Sequence, residues 1–188
     1  TAAIKNELQT VLTDASRFSP YLESDGTHLS PSGTDLVDND DWGAYYLWHY
    51  GDKNTEAGEL CPTAFRTLEA VRQPDIPGQT PIALFSTQQA KTRNTPHNGM
   101  VTNRLICPLP QIVPETCGAI RVGNETRPWV EGEILNFDDS MVHEAWNDSD
   151  EERVVLLFDI WRPELTEEER VLVTTVLTAA RHYSGEDA

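Results

Sequence analysis

Helical spacing of apolar residues marks three segments of the chain. Apolar positions three or four residues apart place their side chains on one face of a helix. This spacing predicts helices over residues 3–18 and 62–71, and a third helix that begins at Thr166. Glu169 follows Thr166 by three residues, which is the pattern of a capping box. The third helix is predicted to bury four apolar residues: Val173, Val176, Leu177 and Ala180.

Short β-like runs fill much of the chain between these helices. Six runs separated by turn-forming residues are predicted to be strands: 42–50, 82–86, 104–107, 119–122, 134–137 and 154–160. Closely spaced strands between helices are typical of two packed antiparallel sheets. We therefore predict a mainly β fold with flanking helices, a double-stranded β-helix of the jelly-roll or cupin type. Without a repeat or a shift in composition, residues 1–188 are predicted to form one domain.

The balance of charge restricts the partners of the protein. Its 31 acidic and 14 basic residues give a formal net charge of −17 at pH 7. A polyanion would be repelled at long range, so we predict no binding to nucleic acid or to an anionic membrane surface. No apolar run approaches the roughly 20 residues of a membrane helix, and no signal peptide is visible from Thr1 onward.

Three cysteines are too few and too scattered for a disulfide scaffold or a cysteine zinc site: Cys61, Cys107 and Cys117. Reduced thiols are the simplest interpretation, and they predict a cytoplasmic protein. A single disulfide stays open as the alternative.

Two of the five histidines lie at predicted strand ends. His97 precedes one strand, and His143 follows the turn after another, so their imidazoles could converge on a metal ion. The usual oxygen-activating iron site has two histidines and one carboxylate. That carboxylate ordinarily lies two residues after the first histidine, where Gly99 stands here. The residues alone leave two unrelated surface histidines as the alternative, and the other three are predicted to have structural roles: His28, His49 and His182.

Longer motifs surround both histidines. In order, they are LW at 47–48, PHNG at 96–99, ETRPW at 125–129, GEILNFDDS at 132–140, HEAW at 143–146 and DIWRPELT at 159–166. With these motifs, residues 42–170 resemble the aspartyl/asparaginyl β-hydroxylase family, a branch of the Fe(II) and 2-oxoglutarate dioxygenases.

The resemblance implies an Fe(II) site in which His97 and His143 are the catalytic metal ligands. In that family water takes the place of the carboxylate, so a small residue such as Gly99 fits the pattern. We interpret Asp138 and Asp139 as turn residues rather than a third ligand, because turn carboxylates usually cap backbone amides.

The resemblance also implies two anchors for 2-oxoglutarate. It assigns the distal carboxylate to Arg153, ten residues after His143, and a helper hydroxyl to Ser86. A buried guanidinium suits a carboxylate because charge-assisted hydrogen bonds offset desolvation. The alternative for Arg153 is a surface ion pair with Glu151 or Glu152.

One strand departs from the family pattern. An arginine and a histidine usually alternate there, close to cosubstrate and substrate, but Ile106 and Pro108 take their positions. Neither side chain offers a polar donor. Arg104, two residues earlier, is the candidate replacement for cosubstrate binding.

The implied function is hydroxylation of the β-carbon of an Asp- or Asn-type residue, or of a related small molecule. The substrate would be a small-molecule or peptidyl amino acid. Two alternatives remain: a metal-dependent enzyme of the same fold that does not use 2-oxoglutarate, and a non-catalytic cupin-like binding module.

Overall fold

The computed structural model describes residues 1–23, 36–99 and 101–184, so His28 lies outside the described residues. Within these ranges, four α-helices accompany nine strands. The helices are α1 (Ala2–Val11), α2 (Thr55–Leu60), α3 (Pro62–Glu69) and α4 (Glu167–Ser184). The strands are β1 (Ser19–Pro20), β2 (Trp42–His49), β3 (Asp52–Lys53), β4 (Ala83–Gln88), β5 (Arg104–Ile112), β6 (Ala119–Val122), β7 (Glu125–Pro128), β8 (His143–Ala145) and β9 (Arg153–Trp161).

The strands form two antiparallel sheets. The larger sheet has the order β1-β2-β4-β9-β5, with β3 paired to β2, and the smaller one has the order β7-β6-β8. Non-sequential neighbours such as β4 and β9 are joined by long crossovers, as in a jelly roll. The prediction of a mainly β, jelly-roll or cupin-like fold with flanking helices is confirmed.

The two faces of the larger sheet have different neighbours. Side chains alternate between faces along a strand, and one face of β2, β4 and β9 joins α1, α2 and α3 in the main core, which includes Leu8, Leu47, Phe85 and Leu156. From the opposite face, Val155 packs with Ile120 of the smaller sheet. This second face therefore looks into the space between the sheets, and it carries the residues discussed below.

Residues 134–137 were predicted to form a strand, and they form only an isolated bridge. Ile106 and Phe137 exchange two backbone hydrogen bonds of 2.9 and 3.0 Å. Further along, Pro108 and Pro110 of β5 accept from Leu135 and Gly132 but have no N–H to return. Alternate prolines therefore stop a full ladder from forming along this edge.

The helix predictions need three corrections. The first helix ends at Val11 rather than residue 18, and a 3-10 turn at Ala15–Arg17 follows it. The short helix α2, which Asn54 caps through its side chain, was not predicted. The capping box of α4 is confirmed by hydrogen bonds between Thr166 and Glu169. Its predicted buried face is wrong, because Val176 and Ala180 are exposed and Val173 and Leu177 are only half-buried.

All three cysteines are buried and free, so the thiol prediction is confirmed and no disulfide joins them. Among the described helices, none combines the length and the apolar character needed to cross a membrane.

Candidate metal centre

The two predicted ligand histidines lie side by side. His143 begins β8, and His97 lies in the segment before β5. Their backbones form an antiparallel bridge, in which the His97 amide donates to the His143 carbonyl at 3.0 Å and the reverse bond measures 2.8 Å. The ring centroids are 4.2 Å apart. Residues 46 positions apart in sequence thus face one point.

Backbone carbonyls orient both imidazoles. The Nδ1 atom of His97 lies 2.7 Å from the Thr95 carbonyl, and that of His143 lies 3.0 Å from the Met141 carbonyl. A carbonyl only accepts, so each Nδ1 carries a proton, and in the neutral imidazole the lone pair is therefore on Nε2. Burial lowers the pKa of His143, and nearby His97 lowers it further. The neutral form that can bind a metal is therefore favoured.

Asp139 lies beside Gly99, where the usual carboxylate ligand is missing. A Cβ built on Gly99 would overlap the Asp139 carboxylate, with the Asp139 Cγ only 2.6 Å away. The Gly99 amide also donates to the Asp139 carbonyl at 2.6 Å. The Oδ1 atom of Asp139 is buried and has no hydrogen-bond partner in the part of the chain that the structure describes. Asp139 thus brings an unsatisfied carboxylate oxygen to the place left open by the glycine.

Asp138, its neighbour, does hold the turn as the sequence analysis interprets it. It accepts from the Ser140 amide at 3.1 Å and the Ser140 hydroxyl at 2.7 Å, and Arg162 donates to it at 2.6 Å. Burial works against the charge, but these bonds outweigh it and lower the pKa of Asp138. Within the described ranges, no group of three His, Cys, Asp or Glu side chains is close enough to hold a metal. The arrangement remains one of two histidines.

Arg153 is a buried cation without an acidic partner among the described residues. Only 3% of it is exposed, its Nη2 donates to Gln88 at 2.7 Å, and its guanidinium lies 4.6 Å from the centre of the Trp129 ring. Its Nε is buried without a partner. Burial lowers the pKa of Arg153 to about 10. The alternative of a surface ion pair with Glu151 or Glu152 is wrong, because neither carboxylate pairs with this guanidinium.

Ser86 lies on the same face of the larger sheet as Arg153. It is buried on β4 and pairs across the sheet with Val155, two residues from Arg153. The Trp42 indole donates to the Ser86 hydroxyl at 3.1 Å, and the same ring lies 6.3 Å from that of His97. The Trp42 side chain is therefore near both the Ser86 hydroxyl and the candidate metal ligand His97.

Gln88 belongs to the same face, and the sequence analysis missed it. It is fully buried and connects Arg153 to Asn94, which its amide contacts at 3.0 Å, and to the Ala145 carbonyl at 3.3 Å. The signal was available, since Gln88 follows Ser86 by two residues and a strand repeats every second residue. Gln88 fixes the Arg153 side chain against β8.

Arg104 is held by two acids. It donates to Asp159 at 2.8 Å and lies 3.4 Å from Asp139. Burial opposes its charge, but these two aspartates outweigh burial and raise the pKa of Arg104. Ile106 pairs across β5 and β9 with Asp159, so its side chain lies on the same face as this cluster. The two remaining histidines of the described chain, His49 and His182, lie outside this site; His49 packs on Tyr46 with ring centroids 4.2 Å apart.

The similarity of the chain to known proteins agrees with this geometry. A sequence profile described as aspartyl/asparaginyl beta-hydroxylase matches residues 1–163. The chain belongs to this family. The aspartyl/asparaginyl beta-hydroxylase of Mus musculus is 35% identical over 140 residues, which cover 74% of this chain and 19% of that protein. The ornithine lipid ester-linked acyl 2-hydroxylase of Rhizobium tropici is 34% identical over 163 residues, 86% of this chain and 54% of that protein.

The family resemblance stated from the motifs is thereby confirmed. The chain spans about a fifth of the mouse hydroxylase of this family and about half of the Rhizobium protein. Among solved structures, a predicted oxalate decarboxylase from Thermotoga maritima aligns with a TM-score of 0.41 and 10% identity, over 64% of this chain and 81% of that one.

Proposed function

We propose that this chain is a hydroxylase that uses Fe(II) and 2-oxoglutarate. One observation carries the proposal: the imidazoles of His97 and His143 lie side by side, and backbone carbonyls hold their Nδ1 atoms. The Nε2 atoms of both neutral rings are therefore available to bind one metal ion. Imidazole nitrogen is a suitable ligand for iron, and two protein ligands leave several coordination positions for other groups. A site of this kind fits oxygen chemistry, which needs open positions on the metal.

The donor set around the histidines fits both absent groups. The orphaned Asp139 Oδ1 can accept from a water bound to the metal, as an outer partner that fixes the ligand geometry. The unpaired Arg153 fits the distal carboxylate of 2-oxoglutarate, and Ser86 adds a hydroxyl donor on the same face. Iron with 2-oxoglutarate and O₂ supplies the oxidation, in which succinate and CO₂ leave and one oxygen atom enters a C–H bond.

The residues of the chain bind, orient and exclude water. Arg153 neutralises an entering carboxylate, and Gln88 holds the guanidinium in place. Trp42 places its aromatic ring near both Ser86 and His97. Burial of these groups strengthens each electrostatic contact, since the effective dielectric constant is lower than in water.

The names of the relatives leave two substrate classes open. The mammalian proteins are named for aspartyl and asparaginyl residues, and the Rhizobium protein for the acyl chain of a lipid. The β-carbon of an Asp- or Asn-type residue is the substrate that the sequence resemblance implies. Hydroxylation of an unactivated carbon is the step that both classes share.

An anaerobic titration tests this proposal. Fe(II) is added to the protein with and without 2-oxoglutarate, and the visible absorption band between metal and cosubstrate is recorded. We expect the band in the wild type and its loss in His97→Ala and His143→Ala, with His182→Ala as the control that retains it. Binding of metal without the band, or turnover without succinate, would favour a metal enzyme that does not use 2-oxoglutarate. Failure to bind metal would favour a binding module.

A further inference from the structure

Two arginines at the site have different surroundings and partners: Arg153 is buried, whereas Arg104 is half-buried, with 18% of its side chain exposed. Arg153 has no carboxylate within ion-pair distance in the described chain, so it can receive one anion. In the proposed function that anion is the cosubstrate. Any acidic group on the substrate would need a second free cation, because an unpaired buried charge is costly.

The second cation, Arg104, is already neutralised. Asp159 is almost fully buried and accepts from one end of the guanidinium at 2.8 Å, while Asp139 lies 3.4 Å from the other end. Two carboxylates around one guanidinium give this cluster a net charge of −1 with all three groups ionised. Arg162, at the neighbouring turn, is paired with Asp138 at 2.6 Å. The net negative charge of this cluster, which adjoins Gly99 through Asp139, therefore disfavours an acidic side chain of a substrate there.

The residues next to this cluster on the same face of the larger sheet form an apolar wall. Ile106 lies on the same face as Arg104 and bridges to Phe137, whose ring centroid is 5.0 Å from that of His143. The next inward position on β5 is Pro108, which pairs with Leu157 of β9. These side chains offer contact area and no hydrogen-bond donors or acceptors to a substrate.

Apolar side chains also stand in solvent beside the metal ligand. Met141 and Val142, the two residues before His143, are 51% and 49% exposed. Large apolar residues exposed together next to a site are typical of ligand-binding surfaces. Phe137 of the apolar wall and the two residues of this apolar rim thus all adjoin His143.

We propose that the substrate presents an uncharged, apolar carbon chain to the metal, so that the carbon hydroxylated belongs to an acyl chain rather than to an acidic side chain. This inference rests on the proposed function and selects one of the substrate classes it leaves open. In the step, a C–H bond of the chain becomes C–OH, while 2-oxoglutarate and O₂ give succinate, CO₂ and the inserted oxygen atom.

Three probes of similar size test the substrate class: octanamide, N-acetyl-aspartyl amide and N-acetyl-asparaginyl amide. Binding is measured by NMR titration of the Zn(II)-loaded protein with 2-oxoglutarate present, a form that does not turn over. Succinate release and a mass gain of one oxygen are then measured with Fe(II). We expect octanamide to bind at least tenfold more tightly than the aspartyl probe and to stimulate succinate release. Stronger binding of either amino-acid probe, or binding of none, overturns the inference.

A charge-matched pair of variants sharpens the test. Ile106→Arg places a new cation on the apolar wall, and Ile134→Arg adds the same charge at an exposed position. We expect Ile106→Arg to reverse the preference toward the aspartyl probe, and Ile134→Arg to retain that of the wild type. Should Ile106→Arg fail to fold, the probe comparison on the wild type decides alone.

Different results would contradict the proposed function and the acyl-chain inference. If 2-oxoglutarate neither binds nor is consumed, the proposed function is wrong, while probe binding to the Zn(II)-loaded protein still decides the substrate class. If slow succinate release occurs without substrate and only an amino-acid probe accelerates it, the proposed function stands and the acyl-chain inference is wrong.

Discussion

At the candidate metal centre, the Asp139 carboxylate occupies the space that a side chain at position 99 would need. In the common iron site with two histidines, that position supplies the carboxylate ligand. A side chain at position 99 would overlap Asp139, so the glycine and the aspartate fit only as a pair. A carboxylate introduced at position 99 would also repel that of Asp139. The sequence comparison alone suggests that Gly99→Asp recreates the common triad and tightens metal binding, and the structure reverses that expectation.

We therefore expect Gly99→Asp to lower both the melting temperature and the affinity for Co(II), a spectroscopic substitute for Fe(II). The physical reason is the steric overlap together with like-charge repulsion. Asp139→Ala in the same chain removes both, so the double variant should bind Co(II) more tightly than the single variant. Isothermal titration measures the affinity and differential scanning calorimetry the stability. If Gly99→Asp alone tightens binding, Asp139 moves aside freely and the pairing argument is wrong.

Arg153 allows the cosubstrate site to be tested apart from the metal. Replacing it by Met removes charge-assisted hydrogen bonds worth roughly 1.5–3 kcal/mol each. The dissociation constant of 2-oxoglutarate should rise at least about tenfold, since 1.4 kcal/mol is a factor of ten. Metal content should stay unchanged, and Arg153→Lys should recover part of the affinity because an ammonium lacks the planar fork.

Calorimetric titration of 2-oxoglutarate into Zn(II)-loaded protein measures this effect. Arg66→Met is the matched control, because it removes the same charge from α3, where the Arg66 side chain donates to Thr63 on the same helix. Equal affinities in Arg153→Met and wild type would contradict the assignment of Arg153 to the cosubstrate.

Among the elements, strand β5 is connected to two other parts of the site through the Arg104 side chain. This side chain joins β5 to Asp159 on β9 and to Asp139 in the turn before β8. Burial raises the pKa of Asp159, and Arg104 opposes that rise. Without the arginine, a buried aspartate would lose its counter-charge.

We expect Arg104→Met to lower the free energy of unfolding at pH 7 by roughly 3–5 kcal/mol, the usual cost of breaking a buried pair. Arg162→Met, which breaks the more exposed pair with Asp138, should cost about 1 kcal/mol or less. Asp159→Asn added to Arg104→Met should restore part of the loss. Urea unfolding followed by fluorescence measures all three, and equal losses in the two single variants would contradict a special role for Arg104.

The same elements show what the sequence can and cannot predict. Strands with continuous apolar runs, such as β9, were predictable within one or two residues, because burial on both faces leaves a clear pattern. Strand β8 has three half-buried residues and forms through backbone pairing with β6, so it leaves no pattern. The histidine pair was found through motifs. The contact of Arg104 with Asp139, 35 positions apart, depends on register and was not predictable.

For the whole molecule, the charge of −17 opposes the entry of an anionic cosubstrate. Long-range repulsion acts on the approach, whereas the attraction of Arg153 acts only inside the buried site. Salt screens the first interaction far more than the second, because the Debye length falls from about 30 Å at 0.01 M to about 8 Å at 0.15 M.

We therefore expect the association rate of 2-oxoglutarate to increase as ionic strength rises from about 0.01 to 0.15 M, opposite to the behaviour of an anion that a basic surface attracts. Stopped-flow fluorescence on Zn(II)-loaded protein measures the rate, with the tryptophan Trp129 next to Arg153 as the reporter. Octanamide carries no charge and serves as the control, whose association rate should not respond to salt.

A 2-oxoglutarate association rate that falls with added salt would contradict this prediction. It would mean that a local positive potential at the entrance of the site outweighs the net charge and would attract an acidic substrate as well. A rate that rises with added salt would mean that the net charge of the chain opposes anions at the entrance, which agrees with a neutral substrate at the apolar wall.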